Sequence, residues 1–276
     1  MEQSLRSAGS IVTPERVVPA LRRFTPLTLP LFGVAAVGLL WWGAAALFWR
    51  DDPILSAFAP EATLKELGGI LSGGTIVPHV FASLKRVLVS LGFAVTVGVP
   101  IGLLVGVSRN ADRATSVVFQ FVRMISPLSW MPIAIMLFGI GDAPVYFLLT
   151  VAAVWPILLN TSAGVASVDA RWLLLARSLC ATTWGTLFHV VAPAIVTHVL
   201  TGVRLAIGMI WIVLVPAEML GVSNGLGYYI LDTRDRLAYS ELMAVILIVG
   251  ALGFLLDVLA RLALRLWIHR PVDQHA

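Results

Sequence analysis

Six apolar runs of 15 to 24 residues, each nearly free of charge, constrain this chain more than any other feature: 27–49, 87–107, 115–138, 143–165, 199–220 and 242–256. About 20 helical residues cross a bilayer's hydrocarbon core, where every backbone polar group must be satisfied internally. The runs therefore predict an all-α bundle of six transmembrane helices. Only 12% of the 276 residues are charged and 59% are hydrophobic, whereas soluble domains carry about 25% charged residues, which excludes an ordinary soluble globule. The first run holds 23 uncharged residues, longer than the roughly 7 to 15 of a signal-peptide core, so it reads as a retained helix.

Six crossings return both termini to one side. If that side is cytoplasmic it holds 13 arginines, counting Arg123 and Arg204 at inner helix ends, against six basic residues outside: Arg50, Lys65, Lys85, Arg86, Arg234 and Arg236. This is the positive-inside bias. Residues 1–26 and 268–276 then read as cytoplasmic tails around a membrane domain at 27–267, in a multi-pass protein of the inner membrane.

Several runs carry internal signals. Ala94, Gly98, Gly102 and Gly106 recur every four residues, placing small side chains on one helical face where a neighbouring backbone can approach. Pro127 and Pro132 each remove a donor and bend the third span, a shape suited to a gate. The polar connection at 50–80 holds a short amphipathic helix or a surface turn near 61–67, and Gly68, Gly69, Gly73 and Gly74 argue against a longer helix. Residues 167–192 carry Asp169, Arg171, Arg177 and His189 and read as two short helices outside the bilayer.

The chemistry the sequence lacks is as informative. A phosphate-binding loop needs G-x-x-x-x-G-K-[ST], and neither Lys65 nor Lys85 follows a glycine. No H-E-x-x-H helix occurs. The lone Cys180 rules out an internal disulfide or a thiolate metal cluster, and the five histidines are scattered. No metal, cofactor or nucleic acid is expected on this chain; lipid surrounds it.

Ionisable residues near hydrocarbon suggest either a pathway or an interfacial anchor. The interfacial reading suits Arg204 and Asp257, while both readings stay open for Arg123 and Glu218. A candidate pathway lining is Arg123, Ser126, Trp130, Asn160 and Glu218. An anionic permeant would be attracted by Arg123 and repelled by Glu218, so Glu218 is expected to face a structural partner.

Residues 168–193, VDARWLLLARSLCATTWGTLFHVVAP, are similar to the cytoplasmic signature loop of permease subunits in ATP-binding-cassette importers. That pattern is E-A-A, three residues, Gly, nine residues, then I-x-L-P. Ala176 matches its last alanine, Val190 its isoleucine and Pro193 its proline, whereas Leu174 stands at the glutamate and Cys180 at the glycine. The flanking motifs SLKRVL (83–88), GLLVGVSR (102–109), SPLSWMP (126–132), FGIGD (138–142), WPILLNT (155–161), TGVR (201–204) and AEML (217–220) follow the order of one subgroup. It resembles the nitrate, sulfonate, taurine and bicarbonate importer permeases.

The resemblance implies a type I importer permease fold that moves a small anion and is not itself an enzyme. It implies two ATPase subunits binding ATP on the cytoplasmic side, an external substrate-binding protein, and a second permease copy, most simply an identical one. It assigns ATPase coupling to Asp169, Trp172, Leu174, Leu175, Ala176, Arg177, Cys180 and Pro193. A secondary transporter or channel would instead place coupling-ion acids or a repeated half in its spans, and a membrane enzyme would need a catalytic constellation; the sequence displays neither.

Overall fold

The computed structural model describes residues 28–48 and 52–268. The two expected tails fall outside these residues, save for Ile268, which ends the last helix. Every regular element among the described residues is helical, and the chain divides into two compact units, Met1–Pro60 and Glu61–Ala276.

The first unit holds α1 (Thr28–Phe48) and α2 (Pro53–Ser56). Most of α1's large apolar side chains are exposed, as a helix facing lipid requires. Asp52 caps α2 by accepting from the backbone N–H of Ile54 at 2.8 Å. The Trp41 indole N–H donates to the Phe58 carbonyl at 3.2 Å.

The second unit opens with α3 (Pro60–Gly73). This helix is longer than the glycines led one to expect: Gly68 and Gly69 lie inside it, each costing about 1 kcal/mol relative to alanine. Burial of Ile70 beside Leu67 offsets that cost. The chain turns at Gly74, where φ is +67°, and enters α4 (Val77–Val107). The second span therefore starts ten residues earlier than the uncharged run, and Lys85 and Arg86 lie within the helix. Arg86 can do so because it is neutralised there.

The third run is broken rather than merely bent. α5 (Arg109–Met124) and the segment Pro127–Phe138, a 3₁₀ turn leading into α6 (Met131–Phe138), meet at 84°. Pro127 denies its predecessor the helical region, and Ile125 and Ser126 are accordingly extended, with ψ of 124° and 128°. α7 (Asp142–Ala166) follows, then α8 (Ala170–Ser178), α9 (Thr183–Thr186) and a π-helical turn at Leu187–Val191 that runs into α10 (Ala192–Gly221). α11 (Leu226–Asp235) and α12 (Tyr239–Ile268) complete the chain. Among the described residues, five helices are long and apolar enough to span a membrane, six when the broken pair counts as one.

α7 is the centre of the bundle. A Cβ on Gly98, Gly102 or Gly106 of α4 would lie 3.1, 2.7 and 2.6 Å from Ile157, Leu158 or Thr161, and Val165 of α7. The small-residue stripe is thus the contact surface, and its register shows α4 and α7 running parallel. On the other side Gly164 meets His198, Gly202 meets Pro156 and Asn160, and Gly221 lies near Val145, so α7 and α10 are antiparallel. Val145, Leu148, Leu149, Ala152, Ala153 and Ile157 fill the core between them. Elsewhere on the bundle Arg204 and Arg261 share the carboxylate of Asp257.

Candidate functional site

Three features stand out on this scaffold: the segment linking α7 to α10, a groove at the helix break, and a buried arginine.

The linking segment is built by local capping. Asp169 accepts from the backbone N–H of Arg171 at 2.9 Å and starts α8, and Thr182 does the same for Gly185 at 3.0 Å to start α9. Between them α8 ends in a Schellman motif. The Cys180 N–H donates to the Arg177 carbonyl and the Ala181 N–H to the Ala176 carbonyl, both at 3.0 Å. That motif needs a left-handed residue, and Cys180 supplies it with φ of +52°. The departure from glycine therefore leaves the turn intact at a strain of about 1–2 kcal/mol.

Of the residues assigned to coupling, Asp169, Trp172, Leu174, Leu175, Arg177, Cys180 and Pro193 are exposed, Leu174 at 59%. Ala176 is the exception: it is 6% exposed and faces its own chain. The structure adds residues that the sequence pattern did not single out. Leu179, Trp184 and Phe188 are each more than 60% exposed, and the last two rings stack at 5.9 Å. Their alternation with threonines and glycine hid them from a search for helical periodicity. The result is an apolar ridge on a short polar-capped loop, the kind of exposed patch found at protein or membrane interaction surfaces.

The groove lies where α5 breaks. Arg123, Ile125, Pro127, Trp155, Asn160 and Met209 line an open cavity of about 520 Å³. The structure thus brings Arg123 and Asn160 together. Arg123 is exposed and makes no ion pair among the described residues, unlike Arg86, Arg204 and Arg261, which each face a carboxylate. Asn160 spends one amide proton on the Pro156 carbonyl at 2.8 Å. Ser126 sits exposed at the break, its carbonyl accepting from Ser129 at 3.0 Å. Trp130 packs half-buried on the core.

Glu218 does not join that groove. It is fully buried, accepting from Ser83 Oγ at 2.7 and 2.9 Å, from Arg86 Nη1 at 2.7 Å and from the backbone N–H of Gly227 at 2.8 Å. Its charge is fully engaged by structural partners, so it does not line a path open to solvent. The partner, Arg86, is only 1% exposed and escaped notice in the sequence, because it abuts an uncharged run and reads as a helix-end anchor. The signal that points to it is Glu218 itself, since a carboxylate deep in an apolar run needs a cation.

The residues from 98 to 269 match the family described as binding-protein-dependent transport system inner membrane component. The chain is 34% identical over 242 residues to the bicarbonate transport system permease protein CmpB of Synechococcus elongatus, covering 84% of this chain and 86% of that one. It is 35% identical over 179 residues to the nitrate import permease protein NrtB of a Synechocystis strain, covering 65% of each. To the taurine transport system permease protein TauC of Escherichia coli it is 29% identical, covering 84% of this chain and 85% of that one. Among solved structures it is similar in fold to a chain of the MetNI methionine ABC transporter in an inward-facing conformation, with a TM-score of 0.59 at 20% identity, covering 69% of this chain and 94% of that one.

Proposed function

The chain belongs to the family of binding-protein-dependent transport system inner membrane components, the permeases of ATP-binding-cassette importers, and on that premise we propose that it imports a small oxyanion or organic sulfonate as one half of a permease pair. The second half is another copy of the same chain, related by a two-fold axis along which the permeant passes. Two ATPase subunits bind ATP on the cytoplasmic side, and an external binding protein delivers the anion. Both termini of the chain are cytoplasmic.

One observation carries this assignment: the exposed apolar ridge of α8, α9 and the π-turn, its two short helices capped by Asp169 and Thr182 and the whole inserted between α7 and α10. A ridge of this kind is stable in water only when seated in a partner's groove. Movement of the seated partner would be passed directly to α7 and α10. Arg123 supports an anionic permeant, since it is an uncompensated cation in a groove at the helix break, where irregular backbone is tolerated only beside protein or water.

The test is docking. Leu174→Asp places an unpaired charge on the ridge, where its burial in a dry groove would be strongly unfavourable. Co-purification with the ATPase from detergent should be lost while the variant still inserts and keeps its melting behaviour. Retention of ATPase binding and uptake by Leu174→Asp would remove the ridge as the docking surface.

A further inference from the structure

Arg86 is the most fully engaged ionic group among the described residues, and its contacts reach the ends of three elements. Nε and Nη2 donate to Asp142 Oδ1 at 3.0 and 2.6 Å, at the first residue of α7. Nη1 donates to Glu218 at 2.7 Å, near the end of α10. Nη1 also donates to the Asn224 carbonyl at 2.9 Å, and Nη2 to the Asn224 side-chain oxygen, both in the loop before α11. All five guanidinium donors are thus used. The loop is moulded onto the pair: a Cβ on Gly225, where φ is +112°, would collide with Arg86 Nη1 and the Glu218 carboxyl. The last residue of α10 and the 139–142 turn also touch directly, the Gly141 N–H donating to the Gly221 carbonyl at 3.1 Å.

These contacts lie at a particular place in the fold. α7 ends at Ala166, just before the apolar ridge, and α10 begins at Ala192, just after it. The two helices that flank the ridge therefore converge again, at their far ends, on one guanidinium. Gly164, Gly202 and Gly221 let them pack closely over the whole distance, about 37 Å for a helix of α7's length. Distant sites communicate through elements whose arrangement both ends can bias, and a closely packed helix pair tied at one end and driven at the other is such an element.

We propose that Arg86 is a positioning residue for coupling: it binds the 139–142 turn and the 222–225 loop into one external rim and joins that rim to the ATPase ridge through α7 and α10. The rim is the surface on which the loaded binding protein acts, so its engagement reaches the ATPases through this tie. The inference rests on the permease assignment above.

Asp142 is 44% exposed, so Asp142→Ala cuts one tie while Arg86 keeps Glu218 and no unpaired charge is buried. Arg86→Lys retains the charge but replaces a fork of five donors by a point charge that cannot hold all three elements. Each variant is assembled with its ATPase in nanodiscs, and ATP hydrolysis is measured without and with the binding protein loaded from a panel of nitrate, bicarbonate, taurine and an aliphatic sulfonate. The expected result is normal assembly, persistent basal hydrolysis, and stimulation by the loaded binding protein reduced about fivefold or more. Stimulation equal to that of the native chain in assembled Asp142→Ala would overturn the proposal, leaving Arg86 a structural fastening. Failure of Asp142→Ala to assemble would overturn it equally, because the tie would then serve folding. Absence of stimulation in the native complex would instead overturn the permease assignment, and this inference with it.

Discussion

At the scale of single residues, Cys180 shows how a departure from a family pattern can preserve geometry. The turn after α8 needs a left-handed residue, and glycine enters that region without the steric cost that a Cβ brings. Cys180→Gly should therefore leave ATPase binding and transport unchanged and stabilise the loop by up to about 1–2 kcal/mol, measurable as slower proteolysis of the loop. Glu218 makes the opposite case. Glu218→Leu leaves Arg86 buried without its inner carboxylate, at a cost of about 3–5 kcal/mol, and should appear as a large drop in the detergent melting temperature. Arg123→Ala should lower anion uptake with assembly intact; unchanged uptake would make Arg123 an interfacial anchor. The sequence made Glu218 legible as a residue in want of a structural partner, but not the partner's identity. Arg86 lies 132 positions away, and no local period connects positions so distant.

At the scale of elements, small residues and prolines were the most readable signals. The four-residue spacing from Ala94 to Gly106 predicted a close helix contact, and α4 meets α7 along that stripe. Gly102→Leu should abolish the native fold or its assembly, because even a Cβ there would lie 2.7 Å from the Leu158 carbonyl oxygen. Gly208→Ala is the control: nothing lies within 4 Å of its Cβ position, and it should be silent in size-exclusion and thermal assays. Pro127 announced a bend, but neither the full break nor its 84° angle was readable, since local sterics forbid the helical region at Ser126 without fixing where the chain goes next. Composition misled at α3 and at the start of α4. There, tertiary burial outweighed glycine's cost in the first case, and ion pairing allowed charge inside a helix in the second. α11 is fastened to α12 in a similar way: the Tyr229 hydroxyl donates to Glu241 at 2.5 Å. Burial first, then that bond, holds the phenol above its usual range, so it stays a protonated donor.

At the scale of the whole molecule, the proposed function makes the chain a scaffold with a driven end and a receiving end. The groove at the helix break presents a cation, Arg123, beside Asn160. The proposed orientation rests on the arginine bias, and it predicts that single cysteines introduced at residues 10 and 60 of a Cys180→Ala background label from opposite faces of the membrane. Reconstitution tests the central claim most directly. Proteoliposomes containing this chain alone should show no uptake of nitrate, bicarbonate, taurine or an aliphatic sulfonate, with or without ATP. Adding the ATPase subunits and the binding protein should produce ATP-dependent uptake of at least one of these anions. Uptake by the chain alone, independent of ATP, would contradict the account.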